Sequence, residues 1–153
     1  MEHIEYAYTR GMDDAEIAER LESAESGVLS MAAAGDAYGV PLAHYYDGED
    51  IYFRLGMTED SHKRAVLDQD GAVSYTVYGT EDTDDPRGVD SWSVIVRGTV
   101  ERIPESGHDR FDTAAINRQF TPIRVFDEDI SEIEIVIYRL DADSMTGRST
   151  PLD

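Results

Sequence analysis

The chain has 153 residues, a formal net charge of −20 and no cysteine. The lack of cysteine excludes disulfides and thiolate sites for zinc or iron–sulfur clusters. The negative charge argues against a nucleic-acid partner, because phosphate backbones would be repelled. Hydrophobic residues make up 41% of the chain, no apolar run is long enough to span a membrane, and the N-terminal residues lack a signal-peptide pattern. We therefore expect one globular domain over residues 1–153, working in the cytoplasm and away from membranes.

The acidic residues are spread along the whole chain, while lysine is nearly absent. Lys63 is the single lysine among 13 cationic side chains, and the others are arginine. This composition is typical of proteins adapted to very high salt, where charge repulsion is screened within about 3 Å at 1 M. We expect a halophilic source, which indicates where the protein works and little about what it does.

The first third of the chain predicts one helix followed by three strands. Residues 1–12 are polar and predict an irregular extension or a short edge strand. Apolar residues recur at helical spacing after Asp13, which can cap the helix, and Gly27 is expected to end it. Strands are predicted over residues 27–34, 38–46 and 51–55. The second contains Pro41, which requires an edge or a bulge because proline has no N–H to donate, and Asp47-Gly48 predicts a hairpin turn.

The rest of the chain alternates strands with helical stretches. A helix is predicted over residues 58–69, with Asp70-Gly71 as its end. A Gly- and Asp-rich loop is expected over residues 79–90 and a further helix over residues 104–120. Strands are predicted over residues 72–78, 91–103 and 133–140. Because this order is not the βαβα alternation of a parallel sheet, it predicts a barrel or an open sheet with helices at its ends.

The segment Ser61-His62-Lys63 opens the predicted helical stretch after the 51–55 strand, which contains Arg54. Helix starts bind anions through free N–H groups and the helix dipole, and a lysine ammonium suits a phosphate group. These residues therefore predict a phosphate-binding site, most simply for a phosphorylated cofactor. The alternative is that Lys63 is an ordinary surface lysine and that Arg54 pairs with an acid such as Asp50.

Four segments, in their order and spacing, resemble the pyridoxamine 5′-phosphate oxidase-like FMN-binding split-barrel family, and within it the nitroimidazole-reductase-like branch. They are Val40–Tyr46, similar to the strand that lines the flavin; Ile51–Arg54 with Ser61–Lys63, similar to the phosphate-binding element; Ser93–Val100, similar to the long barrel strand; and Thr146–Arg148, similar to the closing Thr-Gly-Lys. The resemblance implies a mainly β fold, a six-stranded antiparallel split barrel with flanking helices. Residues 13–26 would form a helix, 27–143 the barrel and 144–153 a tail. It also implies a homodimer with FMN in two clefts between the subunits.

By this resemblance, Lys63, Ser61 and Arg54 would bind the FMN phosphate, while His62 would either donate to it or point to solvent. The other candidate cofactor-binding residues are Pro41, His44, Tyr45 and Trp92. His44 allows three interpretations: a packed or interface histidine, a hydrogen bond to the flavin ring, or an axial haem ligand. The resemblance gives the two aromatic side chains a use at the interface and against the flavin ring, and the alternative is that they are core residues. The four histidines are scattered without metal-ligand spacing, so we predict no metal site.

The implied function is an FMN-dependent oxidoreductase that acts on a small molecule, with NAD(P)H as the reductant. The flavin would supply the chemistry and the protein its orientation and electrostatics, so no catalytic side chain is assigned. Two alternatives stand beside this function. One is a flavin or haem binding and storage protein without turnover. The other is a deazaflavin-dependent reductase, whose longer anionic cofactor would require more basic residues than this chain offers.

Overall fold

The computed structural model describes residues 8–33, 35–57, 66–67, 71–82, 89–103, 116, 119–120 and 134–150. In these ranges it contains one helix, α1 (Asp14–Ser23), and seven strands. The strands are β1 (Arg10–Gly11), β2 (Ser26–Ala33), β3 (Asp36–Tyr46), β4 (Ile51–Met57), β5 (Ala72–Asp82), β6 (Val89–Ile103) and β7 (Glu134–Ser149). No helix in the described part of the chain is long and apolar enough to cross a membrane.

Six of the strands form a closed antiparallel ring. The order is β7-β4-β3-β2-β5-β6, and β6 pairs back onto β7, while β1 pairs with the last residues of β7. Closure removes the edge strands that would otherwise expose unpaired backbone groups. This ring confirms the predicted six-stranded antiparallel barrel.

The shortest ladder of the ring, as far as the structure describes it, joins β3 and β4. Within the described ranges these strands pair over His44–Tyr46 and Ile51–Phe53, and residues 36–43 of β3 pair there with β2 alone. Pro41 lies in this singly paired stretch, opposite Val28 of β2. This agrees with the expectation that Pro41 requires an edge-like position, because proline has no N–H to donate to a second neighbouring strand.

Helix α1 is shorter than predicted at its C-terminal end. Asp13 caps it through a reciprocal capping box with Glu16, and its buried face carries Ile17 and Leu21. The prediction that Gly27 ends the helix is wrong, because the helix ends at Ser23 and Gly27 lies inside β2. A Cβ at Gly27 would lie 2.5 Å from the Thr76 carbonyl oxygen and 2.7 Å from the Tyr75 ring. The glycine therefore serves close strand packing and not helix termination.

The later strands are longer than their apolar patterns predicted. The predicted bounds of the 79–90 loop are wrong at both ends. Residues 79–82 continue β5, and residues 89–90 begin β6. The last strand continues through Ser149, so residues 144–149, expected to form a tail, belong to the barrel. Polar residues can form these extensions because the β6 backbone satisfies their N–H and C=O groups across a long ladder. Gly48 and Gly71 have positive φ, in agreement with the predicted turns.

The core fills the barrel interior, and a second cluster lies on its outer wall. Inward side chains such as Leu29, Phe53, Tyr75 and Val94 are fully buried. Val66 and Leu67, the described helical residues of the predicted 58–69 helix, pack into the same core. The outer cluster consists of Tyr52, Ile103, Ile116 and Ile137, with Tyr45 and Phe120 packed against it. The remaining residues of the predicted helices at 58–69 and 104–120 lie outside the described ranges.

Candidate functional site

The alternation of β4 places Tyr52 and Arg54 on the outer wall of the barrel, while Phe53 between them points inward. Tyr52 stacks on Tyr45 of β3, with ring centroids 6.0 Å apart and planes 22° from parallel. Phe120 meets Tyr45 edge-on at 6.5 Å. We call Tyr45, Tyr52 and Phe120 the outer aromatic cluster. Since Tyr45 and Phe120 are only partly buried, the cluster offers ring surface for stacking.

Arg54 places a positive charge at this cluster. Its guanidinium carbon lies 5.2 Å from the centre of the Phe120 ring, in cation–π range. Burial lowers the pKa of Arg54 from its usual value, but a guanidinium is so strong a base that it stays protonated at neutral pH. A half-buried cation beside aromatic rings suits a planar ligand that carries negative charge.

A second arginine on the same wall, Arg139, forms ion pairs with two carboxylates. Arg139 of β7 is 8% exposed, and it donates to Asp50 at 3.0 Å and to Glu101 at 2.8 Å. Asp50, which the sequence offered as a partner for Arg54, therefore pairs with Arg139. Burial, followed by the nearby Asp47, raises the pKa of Tyr52 to about 12, so its hydroxyl stays neutral. The Arg139 ion pairs anchor the β3–β4 hairpin to β7 and β6.

His44 faces the barrel interior and is 8% exposed. Its Nε2 lies 2.8 Å from the Leu21 carbonyl oxygen, and its Nδ1 lies 2.5 Å from the Tyr75 hydroxyl oxygen. A carbonyl can only accept, so Nε2 carries the proton and Nδ1 accepts from Tyr75. The ring thus links the last turn of α1 to β5, and both of its nitrogens are engaged. This geometry assigns His44 a packing role and leaves no free nitrogen for a haem iron.

The burial of His44 predicts a pH-dependent stability. Burial lowers the pKa of His44, and the hydrogen bond to Leu21 offsets this only in part. The unfolded chain, with a histidine pKa near 6.5, therefore binds a proton at pH values where the folded chain does not. The free energy of unfolding should fall as the pH drops from 7 towards 5. Urea midpoints at fixed salt measure this, and His44→Gln should flatten the slope; equal slopes in both proteins would contradict the prediction.

The remaining predicted site residues occupy different places. Trp92 points inward near α1, packs against the core, and has the Arg20 guanidinium 4.6 Å from its ring centre. Pro41 lies on the outer side of β3, opposite Val28. Ser61, His62 and Lys63 lie outside the described residues. Of the predicted set, the structure therefore brings Arg54 and Tyr45 together around Phe120, and it separates His44 and Trp92 from them.

Two members of the outer aromatic cluster were not among the predicted site residues. The sequence could have indicated Tyr52 as a site residue, because strand alternation puts its side chain on the same face of β4 as that of Arg54. Phe120 lies far along the chain from both, and no local pattern indicates which strand face it covers. The pairing of Arg139 with Asp50 and Glu101 likewise depends on the strand order.

Comparisons with known proteins agree with this architecture. The family model for pyridoxamine 5′-phosphate oxidase matches residues 13–149. No curated protein sequence matches the chain. Similar solved structures include a FAD-binding protein from Mesorhizobium loti, with 20% identity, coverage of 94% of this chain and 99% of that chain, and a TM-score of 0.69.

Two further solved structures are similar. A protein proposed to confer 5-nitroimidazole antibiotic resistance, from Bacteroides thetaiotaomicron, has 22% identity, coverage of 97% and 95%, and a TM-score of 0.69. A FAD- and haem-binding protein from Mycobacterium smegmatis has 13% identity, coverage of 95% and 76%, and a TM-score of 0.66. At these identities the structural likeness establishes the shared fold.

Proposed function

We infer that this chain, which belongs to the pyridoxamine 5′-phosphate oxidase family, is a flavin-binding protein. The observation that carries this proposal is the outer aromatic cluster with Arg54 beside it. A flavin combines a planar ring with a phosphate group, and this site combines partly exposed rings with a cation. The M. loti and M. smegmatis proteins, which share the fold, are described as binding FAD.

We assign the phosphate to the segment that follows β4. Ser61, His62 and Lys63 connect β4, which carries Arg54, with the buried helical residues Val66 and Leu67. A dianionic phosphate favours two or three charge-assisted donors, and Arg54 with Ser61 and Lys63 would supply them. This donor set matches the single terminal phosphate of FMN. The ring would then lie towards Tyr45 and Pro41 of β3.

The proposed reaction class is oxidoreduction of a small molecule. The flavin, when bound, would supply the redox chemistry. Residues of this chain would bind the phosphate, orient the ring and exclude water from one of its faces. A nicotinamide cofactor is the proposed reductant, and the similarity to the B. thetaiotaomicron protein favours a nitroaromatic acceptor. We propose that the active form is a homodimer with the flavin between its subunits.

Haem binding is the second candidate, because the M. smegmatis protein is described as binding FAD and haem. His44 was the proposed axial ligand in this chain. Its two ring nitrogens are held by Leu21 and Tyr75, so haem ligation would require breaking both bonds and exposing a buried ring. This arrangement favours a flavin without haem, and a deazaflavin ranks below it for lack of basic residues.

The visible absorption spectrum of the purified protein tests the proposal. The protein should be purified in multimolar salt because its composition is acidic and its proposed origin is halophilic. We expect a two-banded flavin spectrum, and chromatography of the heat-released chromophore should identify FMN. A colourless protein that also fails to take up added FMN or FAD would overturn the proposal. A Soret band would indicate that the bound cofactor is haem and not a flavin.

The Lys63 assignment has its own test. Lys63→Gln should weaken FMN binding by roughly 10- to 100-fold, because a charge-assisted hydrogen bond contributes about 1.5–3 kcal/mol. Lys63→Arg should retain most of the affinity, since the cation is kept. Arg102→Gln is the matched control, because it changes the net charge equally at an exposed position on β6. Fluorescence titration measures the affinities, and equal binding by Lys63→Gln and Arg102→Gln would place the phosphate elsewhere.

A further inference from the structure

Arg139 of β7 is a buried cation in the same row of side chains as two rings of the outer aromatic cluster. The register places Tyr45 of β3 opposite Tyr52 of β4. Tyr52 in turn lies opposite Arg139, and Arg139 lies opposite Glu101 of β6. Directly opposed residues on one face of an antiparallel sheet have Cβ atoms about 5 Å apart. The four side chains therefore form one row across four strands, which begins with stacked rings and ends with an ion pair.

The two carboxylates that bind Arg139 connect it to different parts of the fold. Its Nη1 donates to Asp50 at 3.0 Å, and its Nε donates to Glu101 at 2.8 Å. The Glu101 pair joins β6 to β7, which a long ladder already holds together. Asp50 instead comes one residue before β4, just beyond the end of the short β3–β4 ladder. The Asp50 pair therefore fixes a turn that the ladder itself does not reach.

This turn also holds the hydroxyl of Tyr52. Asp47 Oδ1 accepts from the backbone N–H groups of Glu49 at 2.8 Å and of Asp50 at 2.7 Å. The other carboxylate oxygen, Oδ2, accepts from the Tyr52 hydroxyl at 3.4 Å. The position of the Tyr52 ring thus depends on the turn, and the position of the turn depends on Arg139.

We propose that Arg139 is a positioning residue for the flavin ring, because through Asp50 and the turn it fixes the stack of Tyr45 and Tyr52. This inference rests on the proposed function and adds a residue that acts through the tyrosines. A stack that is in place before the ligand arrives loses less conformational freedom on binding, which strengthens binding. Arginine suits this role, because its planar fork can bind two carboxylates at once, whereas a lysine ammonium is a point charge.

The charges around Arg139 argue for a geometric effect on the cofactor. One arginine and two carboxylates, Asp50 and Glu101, leave a net charge of −1, so the group as a whole does not attract a phosphate. Removing either acid should, by charge alone, leave the binding of an anionic flavin unchanged or make it stronger. A loss of binding on removal of Asp50 would therefore come from the position of the turn.

The test compares the two acids that share Arg139. Asp50→Ala should weaken FMN binding by roughly tenfold, or about 1.4 kcal/mol. Glu101→Ala should weaken it by no more than about threefold, because the turn keeps its bond to Arg139. Arg139→Met, which keeps an apolar stem in the buried position, should match Asp50→Ala. Arg97→Met removes one cation at an exposed position on β6 and should bind FMN like wild type. Fluorescence titration at fixed salt measures the affinities.

Two further measurements separate positioning from stability. Asp50 and Glu101 are both partly exposed, with side chains 31% and 47% accessible, so water can solvate either acid when an ion pair is lost. The urea midpoints of the two flavin-free alanine variants should therefore be similar, although their FMN affinities differ. The NMR ring signals of Tyr45 and Tyr52 should move in flavin-free Asp50→Ala, because ring-current shifts depend on the stack, and stay in place in the Arg97 control.

Equal FMN affinities of Asp50→Ala and Glu101→Ala, or unmoved tyrosine signals in Asp50→Ala, would overturn the inference and leave the flavin assignment intact. Loss of binding in Arg139→Met with Asp50→Ala unaffected would also overturn it, since Arg139 would then contact the ligand directly. If Arg139→Met does not fold, Asp50→Ala carries the test. A wild-type protein that binds no flavin would overturn the proposed function, and the ring signals of the flavin-free variants then decide alone whether Arg139 positions the stack.

Discussion

Replacing His44 with alanine should destabilise the protein by about 3–5 kcal/mol, because two buried polar groups lose their partners. The Tyr75 hydroxyl would lose its acceptor and the Leu21 carbonyl its donor. Each buried group left unsatisfied costs about 1–3 kcal/mol, and the missing ring leaves a cavity beside Tyr75, which it meets edge-on, and Phe53, its cross-strand neighbour. Since domains are stable by only about 5–15 kcal/mol, urea denaturation of the flavin-free protein at fixed salt should show a large fall in midpoint.

Two variants identify the cause of the His44 effect. His44→Gln should recover part of the loss, because its amide can donate towards Leu21 and accept from Tyr75 as the imidazole does. Tyr75→Phe removes only the hydroxyl and should cost less than His44→Ala. A His44→Ala protein within about 1 kcal/mol of wild type would contradict the packing role. If that variant also lost its cofactor, His44 would be a cofactor ligand instead.

Replacing Gly98 with alanine should destabilise the protein by about 3 kcal/mol, near the upper end of the usual overpacking cost. Gly98 lies at the register shift between β6 and β7, where Arg97 pairs with Ser144 but Gly98 pairs with Ala142. An added Cβ would collide with the backbone carbonyl oxygen of Asp141. That oxygen belongs to a strand held on both sides of the shift, so it cannot move away as a flexible side chain could.

Gly11→Ala is the matched control for Gly98→Ala. Gly11 also lies in a strand, but a Cβ there would meet no atom of the described residues within 4 Å. We expect no loss of stability and a small gain from the restricted unfolded chain. Thermal or urea unfolding of both variants measures the difference. Similar stabilities for the two alanine variants would show that the register shift can relax.

Much of the fold follows from local patterns in the sequence. The alternation Val73, Tyr75, Val77 predicts a half-buried strand, and it is one because residues two apart share a face whatever lies opposite. The capping of α1 by Asp13 and the restriction on Pro41 are equally local, since each depends on one residue's own hydrogen-bonding groups. The family resemblance rests on the order of such segments.

Local patterns in the sequence did not predict where the strands end or what role Gly27 has. Residues 144–149 lack the apolar alternation of a core strand, yet the β6 ladder holds them as strand. Gly27 has the local signature of a helix end, but Tyr75 from another strand requires a glycine there. In both cases the deciding atoms lie far away in the sequence.

By itself, the sequence determined the charge, the absence of cysteine, the strand-rich order, and the presence of Arg54 and Lys63 near one strand. Only the tertiary structure decided which side chains meet. His44 and Tyr45 are neighbours in the chain, yet one bonds inside the barrel and the other stacks outside it. The physical reason is that a period of two assigns residues to two sides of a strand, while strand order decides which side is buried and what lies beside it.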